Sequence, residues 1–193
     1  MAPPALDISN TIAYTATVFG AVALILACIG IGTPNWQTTY SDSPSNRNIS
    51  TTINFYYACS YVAGFPSVCY NRATHRQPPY SPNSNDYYQR QQNAAGLAIV
   101  GILFLAFGTI ATLLMARDVF KANVKHLNFL PAALLFLATL FMLAALAEGS
   151  RTMMYNDYSA NLYATGHLLT IISLLFSSFA GGRIHAVKMQ EGA

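Results

Sequence analysis

The sequence predicts a four-helix membrane protein that carries a small β-sheet stapled by a disulfide. The chain of 193 residues is 53% hydrophobic and only 9% charged, whereas soluble domains contain about 25% charged residues. Its apolar residues form four long runs, and the polar segment between the first two runs contains the pair Cys59-x9-Cys69. Because disulfides persist in oxidising compartments, this pair indicates that the polar segment lies outside the cytosol.

The first apolar run, residues 11–31, contains no charged residue. About 20 apolar residues at a rise of 1.5 Å cross a hydrocarbon core of roughly 30 Å, so we expect a transmembrane helix here. The residues before it carry the single charge of Asp7 and no basic segment, so we expect no cleaved signal peptide. Pro34 ends the helix because it disfavours a helical conformation at Thr33.

The polar segment 33–93 has too few aliphatic residues for a core of its own. It contains the sequon Asn48-Ile49-Ser50, which predicts glycosylation of Asn48, and alternating aromatic residues just before Cys59, which are typical of a strand. We therefore predict that Cys59 and Cys69 form a disulfide that fixes one hairpin. In the chain-entropy model, closing so short a ring contributes about 2.7 kcal/mol.

The second run, residues 94–116, carries Gly96, Gly101 and Gly108. Small residues let membrane helices approach closely, so these glycines either mark helix contacts or are merely tolerated in a span. Both interpretations are open at this point.

Two further runs complete the predicted bundle, and four spans place both termini on one side of the membrane. Basic residues near the span ends make that side cytoplasmic by the positive-inside rule. The cysteine pair and the sequon place segment 33–93 outside, and we expect a multi-pass protein of the plasma membrane. The remaining predicted segments are a cytoplasmic loop at 117–126, a third span at 127–147, a second outer loop at 148–161, a fourth span at 162–181 and a tail at 182–193.

Individual residues within the spans predict packing rather than chemistry. We interpret Cys28 as a small buried hydrophobic residue and His167 as an interfacial histidine, although an ionisable group at membrane depth is also compatible with a functional site. Ser173, Ser177 and Ser178 can bond to carbonyls of their own helix.

The inventory of side chains argues against catalysis and transport. The spans contain no paired carboxylates, no cluster of histidines and no glycine-rich phosphate loop, so we expect no enzyme, no metal and no cofactor. No acidic or basic residue lies at the middle of a span, as ion-coupled transport would require. The formal net charge of +3 with scattered basic residues excludes nucleic acid as a partner. The remaining functions act through surfaces.

Seven residues of the first polar segment occur in a known order. The segment contains Pro34-x-Trp36, an aromatic pair just before Cys59, nine residues to Cys69, and Arg90 shortly before the second span. This order resembles the first extracellular loop of the claudin family. Peripheral myelin protein 22-like tetraspans and calcium-channel gamma subunits share part of this pattern. The chain resembles a divergent member of that superfamily.

The rest of the chain resembles the claudins in part. Tyr155-Asn156 is similar to the aromatic tip of the second loop of the family, and Leu162-Tyr163-x-x-Gly166 is similar to its entry into the fourth helix. One departure is that Phe55 and Tyr56, with Asn54, stand where the family has Gly-Leu-Trp. The final residues, Gln190 to Ala193, lack the apolar end that PDZ domains bind, so we expect no PDZ partner.

The resemblance implies a left-handed four-helix bundle topped by an antiparallel sheet, mostly from the first loop and with room for one strand from the second. It implies that Trp36 lies between the sheet and the helix ends. It also implies cell adhesion or a paracellular barrier, formed by lateral and trans self-assembly in the membrane lipid. The alternatives are an auxiliary subunit that modulates a channel or receptor, and a membrane organiser of the peripheral myelin protein 22 type.

Exposed aromatic and apolar side chains at the loop tips suit self-assembly. In channel-forming claudins, residues just after each cysteine set charge preference, and the basic residues Arg72 and Arg76 here would line any ion path. Candidate partner-binding residues are Tyr61, Val62, Phe65, Pro66 and Val68 in the first loop and Met153, Met154 and Tyr155 in the second.

Overall fold

A computed structural model describes residues 4–40, 49–62, 66–71, 84–117, 119 and 125–191. Four of its helices are long and apolar enough to cross a membrane, which confirms the predicted multi-pass membrane protein. Together with a small antiparallel sheet they give the predicted fold class. The helices are α1 (Pro4–Gly32), α2 (Ser84–Ala116), α3 (Leu130–Gly149), which follows a 3-10 turn at Lys125–Phe129, and α4 (Tyr158–Glu191).

Three of the four helices, α1, α2 and α4, are longer than the predicted spans. Helix α2 begins at Ser84 rather than at residue 94, and α4 continues to Glu191 rather than ending at 181. Hydropathy locates only the part of a helix that suits lipid, whereas backbone hydrogen bonding continues through polar residues. The end of segment 33–93 is therefore helix and not loop.

Each helix packs mainly against two neighbours, so the order around the bundle is α1, α2, α3, α4. Glycines permit the closest approaches, as small residues do in membrane helices. A Cβ added at Gly30 would lie 2.7 Å from the backbone nitrogen of Tyr163, and one at Gly101 would lie 2.8 Å from Cγ of Met142. Gly101 and Gly108 thus mark the α2–α3 contact, whereas Gly96 has no atom within 4 Å of its added Cβ.

Three expectations for residues within the spans need correction. Ser173 donates a hydrogen bond to the carbonyl of Ala16 in α1 (2.8 Å), and the hydroxyl of Ser177 lies 3.2 Å from that of Thr112 in α2. These serines link helices instead of bonding within α4. Cys28 is exposed on the outside of the bundle, because its position on α1 points away from the other helices.

The sheet is formed by four strands in the order β1-β2-β3-β4, all antiparallel. Cys59 in β3 pairs with Cys69 in β4 and with Thr52 in β2, and the two cysteines form the predicted disulfide. Residues 150–157 of the second loop form no strand, so the first loop supplies the whole described sheet. The strands are β1 (Gln37–Tyr40), β2 (Ile49–Ile53), β3 (Tyr57–Val62) and β4 (Val68–Asn71).

Candidate functional site at the sheet end of the bundle

Trp36 joins the sheet to the helices at the end of the bundle that carries the sheet, which we call the sheet end. Its side chain is fully buried, and Nε1–H donates a hydrogen bond to the carbonyl of Gly30 (2.6 Å). That carbonyl belongs to the last turn of α1, where carbonyls lack helical partners. The indole ring lies 4.5, 5.3 and 5.4 Å from the rings of Phe55, Tyr155 and Tyr163. One residue therefore connects α1, the β2–β3 turn, the second loop and α4.

Asn54 builds the turn that places Phe55 against Trp36. Its Oδ1 accepts hydrogen bonds from the backbone N–H groups of Tyr56 (2.7 Å) and Tyr57 (2.6 Å), and its Nδ2 donates to the carbonyl of Thr33 (3.2 Å). Asn side chains commonly form such turns because they bond to backbone groups a few residues on. The segment Asn54-Phe55-Tyr56 thus forms a turn that the Asn54 side chain stabilises.

The second loop binds the outer edge of strand β1. Asn156 accepts a hydrogen bond from the N–H of Thr38 (2.9 Å) and donates one to the carbonyl of the same residue (3.0 Å). Asp157 accepts a hydrogen bond from the Thr38 hydroxyl, and Gln37 Oε1 accepts one from the N–H of Met154 (3.1 Å). A side-chain amide here takes the place of a neighbouring strand, which protects an edge that would otherwise invite pairing.

A small ion-pair group lies where α2, α3 and the second loop meet. Glu148 lies 3.3 Å from Arg90 and 3.6 Å from Arg151. All three side chains are partly exposed, so each pair contributes little to stability. Arg90, identified from the resemblance, thus lies at the contact between the extension of α2 and the end of α3.

The predicted partner-binding residues separate into a surface group and an interior group. Met154 is 72% exposed, Val68 is 64% exposed and Tyr61 is 37% exposed, and Pro66 is exposed as well. Met153 is only 4% exposed. Tyr155 contacts Trp36 and donates a hydrogen bond to the carbonyl of Leu146 (2.7 Å). Met153 and Tyr155 therefore hold the second loop in place, while Met154 remains at the surface.

Tyr40 is a surface residue that the sequence analysis missed. It is 74% exposed. In the register Tyr40 pairs with Ser50, which in turn pairs with Tyr61, and residues directly opposite one another point to the same face of a sheet. Tyr40 and Tyr61 thus share one face. The alternation of side chains along β1 indicates an exposed Tyr40, but the pattern is weak because the strand is short and polar residues follow it.

Asn48, Phe65, Arg72 and Arg76 lie outside the described residues, and so does the side chain of Val62.

Two tyrosines at the sheet end are half-buried. Burial raises the pKa of Tyr155 and of Tyr56 above the ordinary value. His167 lies deeper, with Nε2 3.2 Å from the carbonyl of Thr139. Within the described part of the chain, no three His, Cys, Asp or Glu residues group as metal ligands.

No protein-family model matches the chain, and a comparison with curated proteins finds no match.

Proposed function

We propose that this protein is a claudin-like plasma-membrane protein that mediates cell adhesion or a paracellular barrier by lateral and trans self-assembly. The observation that carries the proposal is a set of exposed apolar and aromatic side chains at the sheet end: Tyr40 and Tyr61 on one face of the sheet, Val68 on the other face, and Met154 in the second loop. We call these four the tip residues. The proposal assigns the chain no enzymatic activity and no cofactor.

The tip residues are suited to binding because their supports are fixed. The disulfide ties β3 to β4, and Asn156 ties the second loop to β1. Binding then orders few side chains, which lowers its entropic cost. Tyrosine and methionine also supply large contact areas that adapt to a partner surface.

The proposed orientation has the sheet end outside the cell and both termini in the cytoplasm. If Asn48 carries a glycan, enzymatic deglycosylation will increase gel mobility, and Asn48→Gln will abolish that shift. A reagent confined to the cytoplasm that labels the segment around Asn48 would contradict the orientation.

The function is tested by mixing two populations of adhesion-deficient cells that express differently coloured fusions of the chain. We expect enrichment of both colours at contacts between expressing cells. The triple variant Tyr61→Ser, Val68→Ser, Met154→Ser should lose this enrichment while still reaching the surface. Met189→Ser changes an exposed methionine at the opposite end of α4 and should retain it.

A barrier role also carries a proposed ion preference. No carboxylate follows either cysteine closely, whereas Arg72 and Arg76 follow Cys69, and a fixed positive charge in a narrow wet path favours anions. In an epithelial layer without claudins of its own, the protein should raise resistance or lower the sodium-to-chloride permeability ratio. Arg72→Glu should reverse any such shift.

The outcome that favours an auxiliary subunit is distinct. The auxiliary-subunit role would replace the adhesive proposal if two results are found together. The protein would be distributed uniformly over the surface, without enrichment at contacts or any change in resistance, and a large channel subunit would co-purify with it from native membrane. If the protein is not enriched at contacts and does not co-purify with a channel, but changes the organisation of membrane domains, the organiser type is favoured.

A further inference from the structure

The disulfide of the sheet joins a covered strand to an open one. Successive side chains of a strand point to opposite faces of its sheet. In β4, Val68 and Cys69 are both exposed, so both faces of this strand are open to solvent. In β3, Ala58 and Cys59 are each only 3% exposed, so both faces are covered. A reagent in solution therefore reaches the disulfide at Cys69 and not at Cys59.

The position of β4 in the sheet adds to this access. It is an outermost strand of the described sheet, and it packs chiefly against β3, with which it pairs over the four residues Val68–Asn71. The opposite edge, β1, is held by Asn156 of the second loop. A pairing of two strands this short contributes little stability on its own. Opening of the disulfide would therefore loosen β4 before the other strands.

A buried hydroxyl faces Cys59 from the neighbouring strand. Thr52 lies directly opposite Cys59 in the register of β2 and β3, and such residues share one face with Cβ atoms about 4.5–5.5 Å apart. Thr52 is 4% exposed, and its Oγ1 has no hydrogen-bond partner within the described residues. A buried hydroxyl without a partner costs free energy. An acceptor that forms beside Thr52 is therefore stabilised by it.

We propose that Cys69 is a site of thiol–disulfide exchange with small thiols, and that Thr52 stabilises the thiolate that this exchange releases on Cys59. In the first step the thiolate of the small molecule attacks Sγ of Cys69 and forms a mixed disulfide there. The bond between the two cysteines breaks, and its electron pair leaves on Sγ of Cys59. That thiolate accepts a hydrogen bond from Thr52 Oγ1 and then takes a proton from water.

The mixed disulfide on Cys69 has two fates. Cys59 can attack it, which restores the staple and releases the small thiol. A second small thiol can attack it instead, which leaves both cysteines reduced and releases the two small molecules joined as a disulfide. Two small thiols are then oxidised for each protein disulfide that is reduced. One chain carries every group involved, so the exchange is independent of the proposed self-assembly.

Mass spectrometry of the full chain in detergent tests the proposal, with reduced glutathione as the probe. The experiment uses the Cys28→Ser variant, which leaves only the Cys59–Cys69 pair. The reaction is quenched with acid, free thiols are blocked with N-ethylmaleimide, and the modified peptides are identified. We expect glutathione on Cys69 and the maleimide on Cys59 while the protein is still folded. Hydrogen exchange of this form should be faster in β4 and unchanged in the four helices.

Variants of β2 in the same background test the buried hydroxyl. Thr52→Val keeps the shape but removes the hydroxyl, so the adduct should form about tenfold more slowly, the worth of one hydrogen bond to a charged group. Thr52→Ser keeps a hydroxyl and should retain the rate. The matched control is Thr51→Val, since Thr51 is the preceding residue of β2 and points to the opposite face. This control should also retain the rate.

Each part of the proposal has a result that would overturn it. Glutathione found mainly on Cys59, or no adduct until the protein unfolds, would overturn the exchange site at Cys69. Equal rates for Thr52→Val and Thr51→Val would overturn the role of the Thr52 hydroxyl. Unchanged hydrogen exchange in β4 of the mixed disulfide would overturn the loosening of this strand.

Discussion

The indole Nε1–H of Trp36 donates a 2.6 Å hydrogen bond to the carbonyl of Gly30, and this contact fixes the sheet on the bundle. The carbonyl lies at the end of α1, and Trp36 directly precedes β1. The same ring packs on Phe55, Tyr155 and Tyr163. The hydrogen bond and the ring contacts therefore set the position of the tip residues relative to the membrane.

Replacement of this indole should destabilise the protein. Trp36→Phe keeps an aromatic ring but leaves the buried Gly30 carbonyl without its donor, which costs about 1–3 kcal/mol. Trp36→Ala should cost more because it also leaves a cavity. Thermal unfolding in detergent measures both. An unchanged melting temperature for Trp36→Phe would mean that the hydrogen bond is irrelevant to stability.

The amide of Asn156 should be required for docking of the second loop. Asn156→Asp has nearly the same shape, but a carboxylate cannot donate to the Thr38 carbonyl and repels it. We expect faster hydrogen exchange in β1 and the second loop. Asn161→Asp, at an exposed position of α4, is the matched control. Equal exchange in both variants would argue against the edge cap.

The α1–α4 contact should tolerate a methyl group at one glycine and not at another. At Gly30 an added Cβ meets backbone atoms of Tyr163 and Ser159 at 2.7 and 2.9 Å, whereas at Gly32 it meets nothing. Overpacking typically costs about 1–3 kcal/mol, so Gly30→Ala should lower the melting temperature and Gly32→Ala should not. The reverse order would contradict the packing described.

The three cysteines should differ in their importance for folding. Cys59→Ser or Cys69→Ser removes a staple that the chain-entropy model values at about 2.7 kcal/mol and leaves an unpaired thiol, so the protein should be retained in the secretory pathway. Cys28→Ser changes an exposed residue and should traffic normally. Thiol labelling without reductant should find one free cysteine. Equal trafficking of all three variants would refute this ranking.

Hydropathy and the cysteine spacing predict the membrane helices and the staple because both depend on local composition. The Thr38–Asn156 pair depends on the approach of two loops that are 118 residues apart in the chain, and no local pattern encodes it. The burial of Met153 beside the exposed Met154 likewise follows from how the second loop returns to the bundle. Ser173 bonds to α1 because α4 packs on α1, which a single helix pattern does not specify.

Tethering of liposomes tests the central claim, trans self-assembly through the tip residues, most directly. Purified protein is reconstituted into two liposome populations with donor and acceptor dyes, and energy transfer between them reports contact. We predict tethering only when both populations carry the protein, with loss for the triple variant Tyr61→Ser, Val68→Ser, Met154→Ser and retention for Met189→Ser. Failure of the unchanged protein to tether, or undiminished tethering by the triple variant, would contradict the account.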